Sequence, residues 1–255
     1  MRQFIAMTKK EFFESTATFR LYILLAAFLI FGMMSPLIAH LMPTILESAM
    51  ADTGITMTLP EPSAMDAWTQ FFSNIGQLGM LALVIVFCGI MSNELSRGTL
   101  TNLLTKGLKR RTVILAKFLS ASLLWTVSYA LSLAVCIGYT AYFWEIGAMP
   151  HATLAFAGLW LFGILMLALL LFGGTLFGNL YGSLFSCLGA VIVLNLIGIV
   201  PSVARYNPVS LAGSTLSLLS GESRPSEFIP AFLICIGLIV VLVAGAVFVF
   251  NRKKV

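Results

Sequence analysis

The amino-acid sequence specifies an all-α integral membrane protein of six transmembrane helices preceded by an amphipathic N-terminal interfacial helix. Three properties carry this: 59% of the 255 residues are hydrophobic and 10% are charged, the mean hydropathy is +1.00, and the chain contains six apolar runs long enough to cross a bilayer. So few charges cannot cover a water-soluble globule. A spanning helix needs roughly 20 apolar residues, so the spans leave no room for an appended catalytic or nucleotide-binding domain.

Residues 2 to 20 form the interfacial helix. At 100° per residue Phe4, Ile5, Thr8, Phe12, Thr16 and Phe19 gather on one arc, with Arg2, Lys9, Lys10, Glu11, Glu14 and Arg20 on the rest. Phe13 and Met7 break the pattern. Such a helix lies along a membrane surface with its cations near anionic lipid; the alternative is a basic leader that only fixes orientation. The first span, 21–42, is too long for a signal-peptide core and is followed by no small-residue cleavage site. The others are 71–91, 113–143, 152–174, 183–200 and 229–250. The third is longer than a bilayer requires and carries Lys117 near its start, so its first turns project on the basic side.

Charge placement sets the topology. Six spans put thirteen of the fifteen Lys and Arg residues on one face with Glu11, Glu14 and Glu94, a net +10; the other face holds Arg205 and Arg224 against seven acids, a net −5. The positive-inside rule then places both termini in the cytoplasm of a multi-pass cell-membrane protein. The overall +5 is a membrane feature, not a nucleic-acid footprint.

The sequence holds little that reads as an enzyme. Cys88, Cys136, Cys187 and Cys235 each sit in a different apolar run, as buried hydrophobes do, with no disulfide or metal pattern. His40 and His151 fall near the outer boundary. Ser220-Gly221 approaches a membrane serine-protease motif, but residue 218 is Leu and no His lies deep. There is no phosphate loop, so the chain is expected to hydrolyse no ATP and to bind no cofactor of its own. No ionisable residue falls deep in a span, which weighs against ion-coupled transport. Asn74, Gln77, Ser128, Ser132 and Asn195 are expected to bond helix to helix. Gly174, Gly178, Gly182 and Ser186, spaced by four, read as close approach of spans four and five.

The basic connection 92–112 is the most informative segment. Ser92 or Asn93 can cap a helix with Glu94 in its first turn. Leu100, Leu103, Leu104 and Leu108 follow at helical spacing until Gly107 interrupts them and Arg110-Arg111 leads into span three. An apolar face there suits a protein partner, or a loop lying on headgroups. The segment resembles the signature region of ABC-2-type exporter permeases, carried by Glu94, Gly98, Thr99, Leu103, Leu104, Arg110 or Arg111, Ala116 and Lys117; Gly107 stands where the family usually has Pro. The order of interfacial helix, six spans, extended third helix and Pro-containing outer connection is similar across the whole chain.

The resemblance implies a permease that pairs with a second copy or a related permease and docks two copies of a cytoplasmic ATPase, on which ATP and Mg would be bound. Glu94, Arg97, Gly98, Thr99, Leu100, Leu103 and Leu104 would then form the docking helix. Lys9, Lys10, Arg110, Arg111 and Lys117 are expected to anchor at the membrane surface. It also implies that the outer connection 201–228 dips back as short re-entrant helices, against the alternative of a solvated loop. The spans, with no charge deep inside them and rich in Phe, Leu and Met, suit an amphipathic or hydrophobic cargo: a membrane-active peptide first, otherwise a lipid-like compound or drug. A silent scaffold and an intramembrane hydrolase are the rival readings.

Overall fold

A computed structural model describes residues 2–51, 61–96, 98, 100, 104–105, 107–145, 147, 149–213 and 215–253. The described residues are helical with no strands. In chain order the helices are α1 (Arg2–Ala17), α2 (Arg20–Ala51), α3 (Ala64–Asn74), α4 (Met80–Phe87), α5 (Ser92–Ser96), α6 (Arg110–Phe143), α7 (Ala152–Phe177), α8 (Leu180–Gly198), α9 (Pro201–Ala204), α10 (Ser210–Gly213), α11 (Thr215–Leu219) and α12 (Pro225–Arg252). A π-helical turn, Ile75–Gly79, joins α3 to α4. Among the described residues, six helices are long and apolar enough to span a membrane: 20–48, 64–95, 110–143, 152–177, 180–198 and 225–252.

Several helices overrun the apolar runs because polar residues start or stop them. Span two begins at Ala64, well before the apolar run at 71, because Ser63 and Asp66 form a capping box with Asp66 accepting from the Ser63 amide at 2.9 Å. Pro225 opens the last helix in its first turn, where a missing N–H costs nothing. The turn between spans four and five shrinks to Gly178-Asn179. Gly178 takes φ +73 and its amide closes on the Gly174 carbonyl at 3.0 Å, while Asn179 caps α8 by accepting from the Gly182 amide at 2.6 Å.

Helix α7 is the centre of the bundle, flanked by α4, α6, α8 and α12 and covered at one end by α10 and α11. Its union with α6 is aromatic: Trp125 donates to the Trp160 carbonyl, Trp160 to Thr126 Oγ1 and Tyr129 to the Phe156 carbonyl, each at 3.0 Å. Gly163 lets the Trp125 indole lie on the α7 backbone, and Gly32 does the same for the crossing of α2 with Ser132 of α6. Asn74 bonds helix to helix as expected, donating to Ser35 Oγ at 3.1 Å. Among the described residues, Gln77 and Asn195 bond only within their own helices, and the buried Ser128 and Ser132 hydroxyls have no hydrogen-bond partner. All four cysteines are free and buried. The described residues of 201–219 fold as short helices packed against α7, α12 and α3. Leu211 reaches inward to Gly158, six residues (about 9 Å) along α7.

Candidate functional site

The site is assembled where α1, α5 and the start of α6 meet. The interfacial helix does not stand free of the bundle: it turns Met7, Glu11 and Ser15, spaced by four, toward the protein and packs on α6. Ile5, Phe12 and Phe13 stay exposed on its other sides, as does Phe19 just beyond its end, while Phe4 packs partly against the core, so most of its apolar surface remains open to lipid while a carboxylate goes inward. Phe19, with φ +59, bends the chain from α1 into α2; a non-glycine residue there is strained.

Glu11 goes inward to meet Lys117. Lys117 is 1% exposed because it occupies the face of α6 that also buries Val113, Ile114, Ala116, Ser120 and Ala121. Its ammonium lies 3.0 Å from both Glu11 carboxylate oxygens and 2.9 Å from Glu94 Oε2. Lys10 completes the node. It reaches Glu14 at 2.6 Å, Glu11 at 3.1 Å and Glu94 at hydrogen-bonding distance. A buried charge is tolerable only when paired and hydrogen-bonded, and here each one is.

Burial alone would depress the Lys10 ammonium, but Glu14, then Glu94 and Glu11, more than reverse that and hold its pKa above the ordinary lysine value. The three carboxylates offer oxygens within 4.8 Å of one another, a spacing usable by a divalent cation. Lys10 and Lys117 already stand among them, so the donor set is matched to ammonium groups. Three carboxylates against two ammoniums leave the node at −1. Its chemistry is mechanical: it welds the base of the 92–109 connection to the interfacial helix and to the longest span.

The expected docking and anchoring residues divide sharply. Glu94 is 8% exposed and is part of the node, and Leu100 is wholly buried; both hold the connection from inside. Leu104 packs partly against the core. Gly98 is exposed, with φ +66, and Gly107 follows with φ +84. Arg97, Thr99 and Leu103 lie outside the described residues. Gln3 donates to the Gly107 carbonyl at 3.3 Å, tying the turn at Gly107 to α1.

Lys9 and Arg111 are exposed, where anchors belong. Lys117 is not at the surface and Lys10 is held by carboxylates. Arg110 faces the last helix, donating to the Phe250 carbonyl at 2.6 Å and to that of Lys253, with its guanidinium over the Phe250 ring. Lys253 in turn donates to the Thr175 carbonyl at 2.9 Å. The helix C-termini of α12 and α7 are thus each met by a cation, as the dipole favours, and the three basic groups of the sequence converge at one end of the bundle.

Glu11 was not visible as a site residue from amphipathic periodicity, which counts it as solvent-facing. A different signal does find it. Glu11, Glu14 and Glu94 are the only acids on the basic face, and Lys117 sits among small and apolar neighbours where it must have a carboxylate partner.

No protein-family profile matches the chain. Over its whole length it is 22% identical to the uncharacterized transmembrane protein YxlG of Bacillus subtilis, in an alignment of 258 residues that covers 99% of that protein. The chain is a multi-span transmembrane protein, related end to end to a bacterial one.

Proposed function

We propose that this protein is the permease subunit of an ATP-driven exporter, in which two six-span halves carry two copies of a separate ATPase and move an amphipathic or hydrophobic cargo outward. The observation that carries the reading is the node. The 92–109 connection has the residues that resemble an ATPase-docking segment, and its base is fixed through Glu94 to Lys10 and Lys117. A push on the connection therefore moves α1 and the whole of α6 together. ATP binding would close the ATPases, shift both connections, and switch the spans between two packed arrangements. In this reading both termini are cytoplasmic, as the charge asymmetry favours.

The test is reconstitution with a candidate partner ATPase. Cargo-stimulated ATP turnover and movement of cargo across a vesicle membrane are expected of the pair. If the ATPase turns over identically with and without this subunit and nothing crosses, the chain is a membrane scaffold and the exporter reading fails.

A further inference from the structure

Helices α2 and α6 run side by side through the bundle, and part of the seam between them is polar. Ser128 and Ser132, one turn apart on α6, are both 0% exposed, and neither hydroxyl has a hydrogen-bond partner among the described residues. Two close contacts tie this stretch to α2. The Phe28 ring meets the Trp125 indole edge-on, with centroids 5.3 Å apart. Gly32 lies so near Ser132 that a Cβ there would stand 2.5 Å from the Ser132 carbonyl oxygen and 3.1 Å from its Oγ. Along α6, Ser128 falls between these two crossings. A buried hydroxyl left unpaired is costly, and a serine inside a helix usually bonds the carbonyl four residues back. Ser35 does so, donating to the Phe31 carbonyl at 2.7 Å.

α2 carries the complementary deficit. Pro36 lies inside that helix and has no N–H, so the Gly32 carbonyl loses the amide that would ordinarily donate to it. An acceptor deprived of its amide and two hydroxyls without acceptors therefore sit on facing helices. The second span is irregular beside them. Asn74 donates at 3.1 Å to Ser35 Oγ, on the residue before Pro36. The π turn Ile75–Gly79 starts one residue later, and a Cβ on Gly79 would lie 3.2 Å from the Phe28 ring. A proline and a π turn are each causes of helix bending, and π turns concentrate at functional sites. Here the two adjoin the seam whose hydroxyls are unsatisfied.

We infer that α2 is hinged at Pro36 and has a second position on α6, in which the Ser128 and Ser132 hydroxyls donate to α2 carbonyls around Gly32 that the present position leaves out of reach. A shift of about 1–2 Å is the usual scale of such helix movements, and Gly32 presents no side chain to block it. This deepens the exporter reading and rests on it only for what drives the shift, since α6 is the helix that the node joins to the 92–109 connection.

The test uses the whole protein in phosphatidylcholine nanodiscs without any ATPase. Ser128→Ala and Ser132→Ala each remove a hydroxyl that is unpaired in the present position, so each should raise the melting temperature, by about 2–4 °C. Ser35→Ala makes the same gain in helix propensity but removes a bonded hydroxyl, and it should lower the melting temperature. If the two α6 variants melt lower or unchanged, those hydroxyls are already paired or hold a trapped water, and the inference falls. The hinge is read by dipolar spectroscopy between spin labels on Leu41→Cys, beyond Pro36 on α2, and Leu233→Cys on α12, both exposed positions. The native cysteines are all buried, so the labels go to the introduced ones. Two distances are expected in the otherwise unchanged chain. The second should be lost in Pro36→Ala, which restores the amide, and in the Ser128→Ala, Ser132→Ala pair. A single distance common to all three overturns the inference, as does a second distance that survives both changes. Neither measurement needs cargo or ATPase, so failure here with transport intact in the reconstituted complex would leave the exporter reading standing.

Discussion

The Lys117 ammonium lies 3.0 Å from both carboxylate oxygens of Glu11, a residue 106 positions earlier in the chain, and both side chains are buried. Removing one member of a buried pair strands the other, at a cost of about 3–5 kcal/mol. Lys117→Met is the harsher change, because it leaves Lys10 alone among three carboxylates. The expected result is a large drop in melting temperature in detergent, with Glu11→Gln costing less and the double variant costing less than the two singles added. Strict additivity in that cycle would mean the pair does not interact.

Glu94→Gln separates stability from coupling. With Glu94 neutral, two carboxylates face two ammoniums and the node loses its net charge of −1, so the fold should suffer less than in Lys117→Met. The link from α5 to α1 and α6 is weakened all the same. Normal membrane insertion, near-parental melting and a loss of cargo-stimulated ATP turnover are expected in the reconstituted complex; full coupling in this variant would remove Glu94 from the transmission path.

Lys10 gives the node a pH signature. Its folded pKa is raised above the ordinary 10.5, so the charged form is favoured by folding. The stability it contributes is complete below that ordinary value and is lost as pH rises through the higher folded one. A flat melting profile from neutral pH to about 10, followed by a fall, is expected for the parent. Lys10→Met should melt lower at neutral pH, and the gap between the two should narrow in strong alkali. A gap that widens there would reverse the sign of the linkage.

The six spans and the common end shared by their basic groups could be read from the chain because both follow from one-dimensional quantities, run length and charge order. The node could not, because periodicity assigns a helix one buried face and treats that face as apolar. In α1 the face against α6 is Met7, Glu11 and Ser15, less hydrophobic than the Phe-bearing side left for lipid. Lys117 was misplaced for a related reason. Its position near a helix start suggested headgroups, whereas its neighbours at 113, 114, 116, 120 and 121 are all buried. Helix limits drifted where capping decides, at Ser63 and at Gly178-Asn179, since hydropathy windows are blind to single polar caps.

Glycine substitutions should separate close approach from mere flexibility. A Cβ on Gly32 would meet the Ser132 carbonyl oxygen at 2.5 Å, and one on Gly163 would meet the Trp125 indole at 2.4 Å. Neither neighbour moves freely, because one is backbone and the other is hydrogen-bonded to Trp160. Gly32→Ala and Gly163→Ala should each destabilise by about 1–3 kcal/mol. Gly138 and Gly237 have nothing within 4 Å, so alanine there should be neutral or slightly stabilising through helix propensity. Equal effects at all four positions in thermal melts would refute the packing argument.

Arg110 and Lys253 form a relay that the node does not need. Arg110 lies just after the 92–109 connection and holds the last carbonyls of α12, and Lys253 holds those of α7. Motion of the connection can therefore reach α7, the central helix, by way of the C-terminal turn. A cation at a helix C-terminus contributes about 0.3–1 kcal/mol when exposed and up to about 2 when partly buried, so Arg110→Ala and Lys253→Ala should cost about 1 kcal/mol each and leave the bundle folded. The informative readout is local. Amide hydrogen exchange in 247–253 should accelerate in both variants, whereas exchange at 175–177 should accelerate only where the Lys253 contact is lost, directly in Lys253→Ala and through loss of its support in Arg110→Ala. If Arg110→Ala leaves 175–177 untouched, the two contacts act separately and no relay joins them. Arg110 meets both carbonyls through the single nitrogen Nη1, so Arg110→Lys, which keeps a donor-bearing cation but loses the planar guanidinium over Phe250, should restore part of the protection at 247–253 but not all of it.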